Sequence, residues 1–346
     1  MPDTINPNLS RAPSKRPSAQ QLFADLTGAS HRRALGKAIS LLESTQPEDQ
    51  PVAEALIDLA RSRVQSRDTP TLRLGVSGTP GVGKSTFVEN FGLAVIEAGY
   101  RLAVLAIDPT SSLSGGSILG DKTRMQELSR HPRAYIRPSP SAGHLGGTTA
   151  ATRGAILLCE AAGYDFIIVE TVGVGQAEWR VHGMTDAFLL LAQPAAGDDL
   201  QSIKRGILEL ADHIVVNKAD ALPAAAKQTA RELRQGLHLA PPRPDGWTVK
   251  VDTISALQHE GLDRTLERLR SFHQQNLASG GLARKRAVQE TEWLRENLQQ
   301  TVAADLARYL ADRARTSDEL RRIIDEQVTL SAATRVLLAE FYQTKP

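Results

Sequence analysis

A chain of 346 residues carries 41 Lys plus Arg against 39 Asp plus Glu, a net charge of +2, so no global field draws it to nucleic acid or anionic lipid and any anion site must be local. Its one cysteine, Cys159, excludes an intrachain disulfide and a cysteine metal cluster and fits a reduced, cytoplasmic setting. No run of 18 apolar residues is present to span a bilayer, and the start "MPDTINPNLSRAPSKRPSAQ" has neither the apolar core of a secretion signal nor a clear transit pattern.

Residues 1–18 are rich in Pro and Ser and read as disordered. Residues 19–70 read as a helical layer: Leu22, Phe23 and Leu26, then Leu35, Ala38, Ile39 and Leu42, then Leu56, Ile57, Ala60 and Val64 recur at threes and fours. From 71 to 270 the period changes. The runs "LRLGVS", "RLAVLAID", "DFIIVE", "AFLLLA", "HIVVNK" and "KVDTIS" alternate with helical stretches, which predicts an α/β domain with a mainly parallel sheet covered on both faces. Ligands of such sheets lie at the carboxyl ends of the strands. From 271 to 346 thin stripes (Leu294, Leu298, Val302, Leu306, Leu310, then Leu320, Ile323, Ile324, Val328, then Leu337, Leu338, Phe341) predict helices that pack on the main domain or on a second copy of the chain, with Ser317 and Ser331 as caps.

Within this order "GTPGVGKST" stands between the first strand and a helical segment, the context a phosphate-binding P-loop requires. The expected contacts run from Gly78 through Thr79, Pro80, Gly81, Val82, Gly83, Lys84 and Ser85 to Thr86. Glycines let backbone amides converge on phosphate, the helix N-terminus adds a positive dipole end, Lys84 reaches the β and γ oxygens, and the Ser85 hydroxyl can ligate Mg²⁺. "NKAD" follows a later strand. An ionised Asp220 only accepts, so it matches the two adjacent donors of guanine, a pair that adenine lacks; a buried partner left unpaired rejects the wrong base by roughly 10⁴-fold or more. Asn217 is expected to brace the loop and touch the base, Lys218 to cover its face, and Ser255, Ala256 and Leu257 to add backbone contacts to the guanine oxygen.

Three carboxylates stand on the magnesium side: Asp108 and Glu170 at strand ends and Asp121 in "GGSILGDKTRM". Mg²⁺ usually keeps several waters and takes one or two protein carboxylates, so at least one of the three should act through water. A helix cap or loop salt bridge is the competing reading of Asp121. In "ETVGVGQ", residues 170–176, Gly173 is placed like the glycine whose amide meets the γ-phosphate and moves when that phosphate is lost. Nothing obvious there orients the attacking water, with Gln176 only a candidate, so slow hydrolysis by the isolated protein is expected.

With these residues assembled, the chain resembles the MeaB/ArgK/MMAA family of metallochaperone-type P-loop GTPases, chaperones of B12-dependent acyl-CoA mutases. The resemblance covers roughly residues 30–280 and rests on "GTPGVGKST", "AIDPTSSLSGGSILGDKTRM", "IRPSPSAGHLGG", "LLCEAAGYDFIIVETVGVGQAE", "AGDDLQSIKRGILELAD" and "NKAD". It implies that Asp108, Asp121 and Glu170 surround Mg²⁺, that 115–125 and the "ETVGVGQ" loop are switches, and that Asp198, Gln201 and Lys204 form a third that couples GTP to the mutase. It further implies a homodimer through the C-terminal helices and a GTP/GDP cycle that gates adenosylcobalamin loading, the cobalamin being held by the mutase. Ala195, Asp199, His144 and Ala177 depart from the family pattern near these loops, which leaves the mutase open among methylmalonyl-, isobutyryl- and 2-hydroxyisobutyryl-CoA enzymes. Three other readings stand beside this one: an ArgK-type transport-protein kinase, a nickel-delivery GTPase and a nucleotide-gated adaptor with little turnover.

Overall fold

The computed structural model describes residues 17–28, 31–44, 46–107, 125–137, 147–171, 177–194, 205–239, 241–314, 321, 325 and 329–343. Each apolar run expected as a strand forms one: β1 (Leu72–Gly78), β2 (Leu102–Ile107), β4 (Phe166–Thr171), β5 (Ala187–Ala192), β6 (His213–Val216) and β7 (Lys250–Thr253). A further strand, β3 (Ala134–Arg137), is not foreseen from the sequence. Four residues with two of them half-buried at an edge carry too little pattern to be recognised. Among the described residues the seven strands make one parallel sheet in the order β3-β2-β4-β1-β5-β6-β7.

The helices are α1 (Ala19–Leu26), α2 (His31–Leu42), α3 (Gln50–Gln65), α4 (Lys84–Glu97), α5 (Gln126–Arg130), α6 (Gly147–Ala161), α7 (Ala177–His182), α8 (Arg205–Leu210), α9 (Pro223–His238), α10 (Leu262–Ala278), α11 (Gly281–Ala314) and α12 (Leu330–Gln343). Ser18 accepts from Gln21 N at 3.2 Å in a reciprocal capping box, so the first helix is stabilised from a residue whose composition placed it in the unstructured start. α10 runs unbroken through residue 270, where the sequence suggested a boundary.

Alternate residues of one strand face opposite layers, and both layers are apolar. Phe166 and Ile168 pack with Phe87, Val88 and Phe91 of α4 and Leu266, Leu269 and Phe272 of α10. Ile167 and Val169 pack with Leu22, Leu35, Ile39 and Leu56 of the first three helices and with Ile156 and Cys159 of α6. This two-sided burial is why the strands read as unbroken apolar runs. Burial pushes the Cys159 thiol up in pKa, so it packs as a small hydrophobe and does not react.

The open edge of β7 is blunted by arginines. Arg234 donates to Val251 O, and Arg264 Nη2 donates to Thr253 O at 3.1 Å. Covered carbonyls on an edge strand deny a template to another chain. A cavity of about 490 Å³ lies beside this strand, lined by Arg234, Arg243, Trp247, Lys250, Asp252 and Arg268 among others. It is set apart from the loops that follow the strands.

The chain divides into two compact units, Met1–Arg286 and Ala287–Pro346. In the second, Tyr309 and Phe341 meet edge-on with ring centroids 5.5 Å apart, while Leu294, Leu298 and Val302 stay exposed. The cap of α12 is Thr329, whose Oγ1 accepts from Ala332 N at 3.2 Å. Ser331 lies inside the helix, which corrects the expectation that it caps; Ser317 lies outside the described residues. Among the described residues no helix is long and apolar enough to cross a membrane.

Candidate nucleotide site

Parallel strands send their carboxyl ends to one edge of the sheet, and this brings together loops that are far apart in sequence. From the central strand β1 the chain crosses past the position of β4 to β2 on one side, and β5, the neighbour of β1 on the other side, leads to β6 and β7. The ends of β1, β4, β5, β6 and β7 present Gly78, Glu170, Gln193, Asn217 and Ser255 in turn.

The loop after β1 is shaped by two glycines with different reasons. Gly78 pairs with Leu191 of β5, and a Cβ there would lie 2.6 Å from Leu191 O. Gly83 caps α4 in the left-handed region at φ 93, and its Cβ would meet Asn217 Nδ2 at 2.8 Å. Val82 between them is fully buried. Lys84 Nζ spans the loop and donates to Gly78 O at 2.6 Å and to Thr79 O at 3.4 Å. Burial lowers the Lys84 pKa, opposed by the charges of Glu170 and Glu178. Thr79, Pro80 and Gly81 line the same turn, with Ser85 and Thr86 in the first turn of α4.

Asn217 is 2 % exposed and joins two loops. Its Nδ2 donates to Val82 O at 2.9 Å, and its Oδ1 accepts from Ala256 N at 2.9 Å. Both ends of one amide are thereby spent on backbone. Lys218 adopts φ 59 and donates from Nζ to Gly81 O at 2.7 Å, so its stem lies over the cradle. Asp220 is exposed one turn further on. Ser255 is buried, its Oγ accepts from Gln258 N at 3.1 Å, and Leu257 is exposed at the tip.

On the β4 side Glu170 is 5 % exposed, opposite Val76 of β1. The neighbouring Thr171 hydroxyl donates to Ser77 Oγ at 3.0 Å in a buried contact. Asp108, Asp121, Gly173, Asp198, Gln201 and Lys204 lie outside the described residues, as do 115–124 and Gln176. Among the described residues no group of three or more His, Cys, Asp or Glu is poised to hold a metal.

Three residues at this edge escape a reading of the sequence. Gln193 Nε2 donates to Pro80 O at 3.0 Å and lies 3.4 Å from Thr79 Oγ1; the signal for it is a polar residue closing the run "AFLLLAQ". Glu178, 1 % exposed on α7, supports the charged form of Lys84, and no spacing marks it. Asn90 of α4 donates from Nδ2 to Ala256 O at 2.7 Å. Its signal is a weak helix former inside "KSTFVENFGLAVIE".

A parallel sheet with a glycine cradle at the end of its central strand and an Asn-braced loop at the end of another defines a P-loop nucleotide-binding protein. The chain belongs to the MeaB family of GTPases: the family model described as "Methylmalonyl Co-A mutase-associated GTPase MeaB" matches residues 35–310. It is 45 % identical over 313 residues to a "Putative GTPase" of Caulobacter vibrioides, covering 90 % of this chain and 95 % of that one. It is 45 % identical over 317 residues to the "Methylmalonic aciduria type A homolog, mitochondrial" of Mus musculus, covering 90 % and 76 % of the two chains. Among solved structures, the "LAO/AO transport system kinase" is similar with a TM-score of 0.72 at 34 % identity, covering 94 % of this chain and 98 % of that one.

Proposed function

We propose that the protein binds GTP with Mg²⁺, hydrolyses it to GDP and phosphate, and through that cycle gates adenosylcobalamin loading into a B12-dependent acyl-CoA mutase and protects that mutase from inactivation. The guanine part rests on one observation: Asn217 ties the phosphate cradle at Val82 to the Ala256 loop, leaving the exposed Asp220 beside it to accept from the base. The mutase part is supported by the description of the matched family, with methylmalonyl-CoA mutase as the first partner to test.

In this reading the loop amides and Lys84 hold the phosphates, and leaving the Gly78 and Thr79 carbonyls for a phosphate oxygen returns Lys84 to an anionic partner. The Ser85 hydroxyl in the first turn of α4 and the Glu170 carboxylate at the end of β4 are hard oxygen donors and fit Mg²⁺; Asp108 and Asp121 are proposed to complete its surroundings. When bound, Mg²⁺ neutralises charge on the β and γ oxygens. Gly173 is assigned to the γ-phosphate, and Asp198, Gln201 and Lys204 to coupling with the mutase. Slow turnover alone belongs to this reading because "ETVGVGQ" offers only Gln176 as a candidate to orient the attacking water. Exposed Leu294, Leu298 and Val302 support a homodimer, and the single Cys159 fits a cytoplasmic setting.

Phosphate release measured with and without methylmalonyl-CoA mutase tests the reading: stimulation is expected, equal rates would remove that mutase as the partner, and no release in either case would leave a nucleotide-gated adaptor. The kinase reading is decided by calorimetry, since equal affinity for ATP and GTP would overturn the guanine assignment. Asp220→Asn should weaken GTP by roughly 10- to 150-fold, the worth of hydrogen bonds to a charged group. The same change should favour xanthosine triphosphate, because an amide donates to its 2-oxo group. Unchanged selectivity would remove Asp220 from the base site.

A further inference from the structure

We propose that Asn90, a residue of α4 outside every motif of the site, is a positioning residue for base recognition. The inference rests on the GTPase reading and deepens it. The hydrogen bonds close a circuit: Asn217 Nδ2 to Val82 O at 2.9 Å, Ala256 N to Asn217 Oδ1 at 2.9 Å, and Asn90 Nδ2 to Ala256 O at 2.7 Å. The backbone from Val82 through Gly83 into α4 completes it, with Phe87 N donating to Gly83 O at 2.9 Å. Phosphate cradle, base loop and P-loop helix are thereby one bonded ring.

Ala256 is gripped in both of its peptide units. Asn217 accepts from its N–H, in the unit shared with Ser255, and Asn90 donates to its C=O, in the unit shared with Leu257, so Asn90 sets the direction of the Leu257 amide. The rest of the loop is tied to itself: Ser255 and Glu260 exchange backbone bonds at 3.1 and 3.0 Å, and Gln258 N bonds Ser255 Oγ. Ala256 is 1 % exposed in the apolar cluster that includes Phe87 and Phe91, but apolar contact is non-directional and does not orient a peptide. Leu257, 64 % exposed, adds little packing. Without Asn90, the Ala256 carbonyl is buried with no donor from α4, and the Ala256–Leu257 peptide unit can turn while Asn217 still holds the unit before it.

Loss of that bond acts on the base and spares the phosphates. One hydrogen bond with its buried acceptor left unsatisfied is worth about a factor of ten. Asn90→Ala should therefore speed GDP release roughly tenfold, narrow the preference for GTP over ATP to a similar extent, and raise KM for GTP more than it lowers kcat. Asn90→Asp keeps the shape but sets a carboxylate against the Ala256 carbonyl, so its effect should be larger. Asn90→Gln keeps the donor and should recover part of the wild-type release rate.

Fluorescent GDP release and nucleotide competition on the full-length protein read these outcomes, with inorganic tripolyphosphate as the baseless probe and circular dichroism to confirm folding. Faster GDP release with tripolyphosphate binding held within about twofold supports the assignment. Unchanged release in folded Asn90→Ala and Asn90→Asp overturns it, as does an equal loss of tripolyphosphate binding, which marks a merely structural residue. A wild-type protein with no preference for guanine would overturn the GTPase reading first, and this inference with it.

Discussion

Asn217→Ala is expected to weaken GTP binding by roughly 30- to 700-fold, the largest effect of any single truncation among the residues that join the loops of the site. The side chain is buried, and its removal strands two backbone groups at once, Val82 O and Ala256 N. Each buried group left unsatisfied costs about 1–3 kcal/mol. Part of that cost falls on folding, and the share that falls on binding is about 2–4 kcal/mol, which sets the range quoted. Asn217→Asp separates the two contacts: it keeps an acceptor for Ala256 N and turns the donor to Val82 O into a repelling oxygen. Calorimetry with GTP on folded variants measures both. Wild-type affinity in folded Asn217→Ala would mean that the brace is ornamental.

At the opposite end of the sheet, Arg286→Met is expected to cost about 3–5 kcal/mol of stability, the usual penalty for leaving a buried charge without its partner. Arg286 forks onto Asp186 with Nε at 2.8 Å and Nη2 at 2.7 Å, and Nη2 also donates to Thr71 O at 2.7 Å. The side chain of Asp186 is 3 % exposed. A second fork, Arg73 to Glu160 at 2.8 Å through both nitrogens, stands beside it. The first holds the second turn of α11 to the residues before β5 and β1, and the second ties β1 to α6. Arg286→Lys keeps the charge but loses the fork and should cost less.

The pH dependence follows in sign. Burial raises the pKa of Asp186, but Arg286, and then Arg73, outweigh it and hold the carboxyl below its ordinary value. A carboxyl with a lowered folded pKa stabilises fully above its unfolded pKa, about 3.9, and loses that contribution as pH falls through the folded value. In Arg286→Met burial remains and the partner is gone, so the Asp186 pKa rises and protonation relieves the cost. The gap in urea stability between wild type and variant should therefore be widest near neutral pH and shrink toward about pH 4. A gap independent of pH would assign the loss to packing alone.

Much of the site was legible because its chemistry is written in contiguous residues. "GTPGVGKST" specifies a turn through glycine conformations and a helix start, both local properties of the backbone, and it folds as a cradle at the end of β1. The runs of Val, Ile and Leu specify strands for the same local reason, and their two-sided burial predicts helices on both faces. β3 escaped because an edge strand of four residues has no such signature. Thr329 displaced Ser331 as a cap because a cap is defined by where the helix turns, which one residue of phase decides.

Local order, element type and the identity of the phosphate cradle thus follow from neighbouring residues, whose conformational preferences act over a few positions. The partners of Asn90 and Arg286 do not. Asn90 meets a residue 166 positions away, and Arg286 one 100 positions away. No periodicity encodes such pairs. They exist because parallel strands deliver distant loops to the same edge, where burial makes an unpaired amide or charge too costly to leave alone. Which polar side chains close the circuit around the base loop, and which hold the start of α11, is settled by that packing.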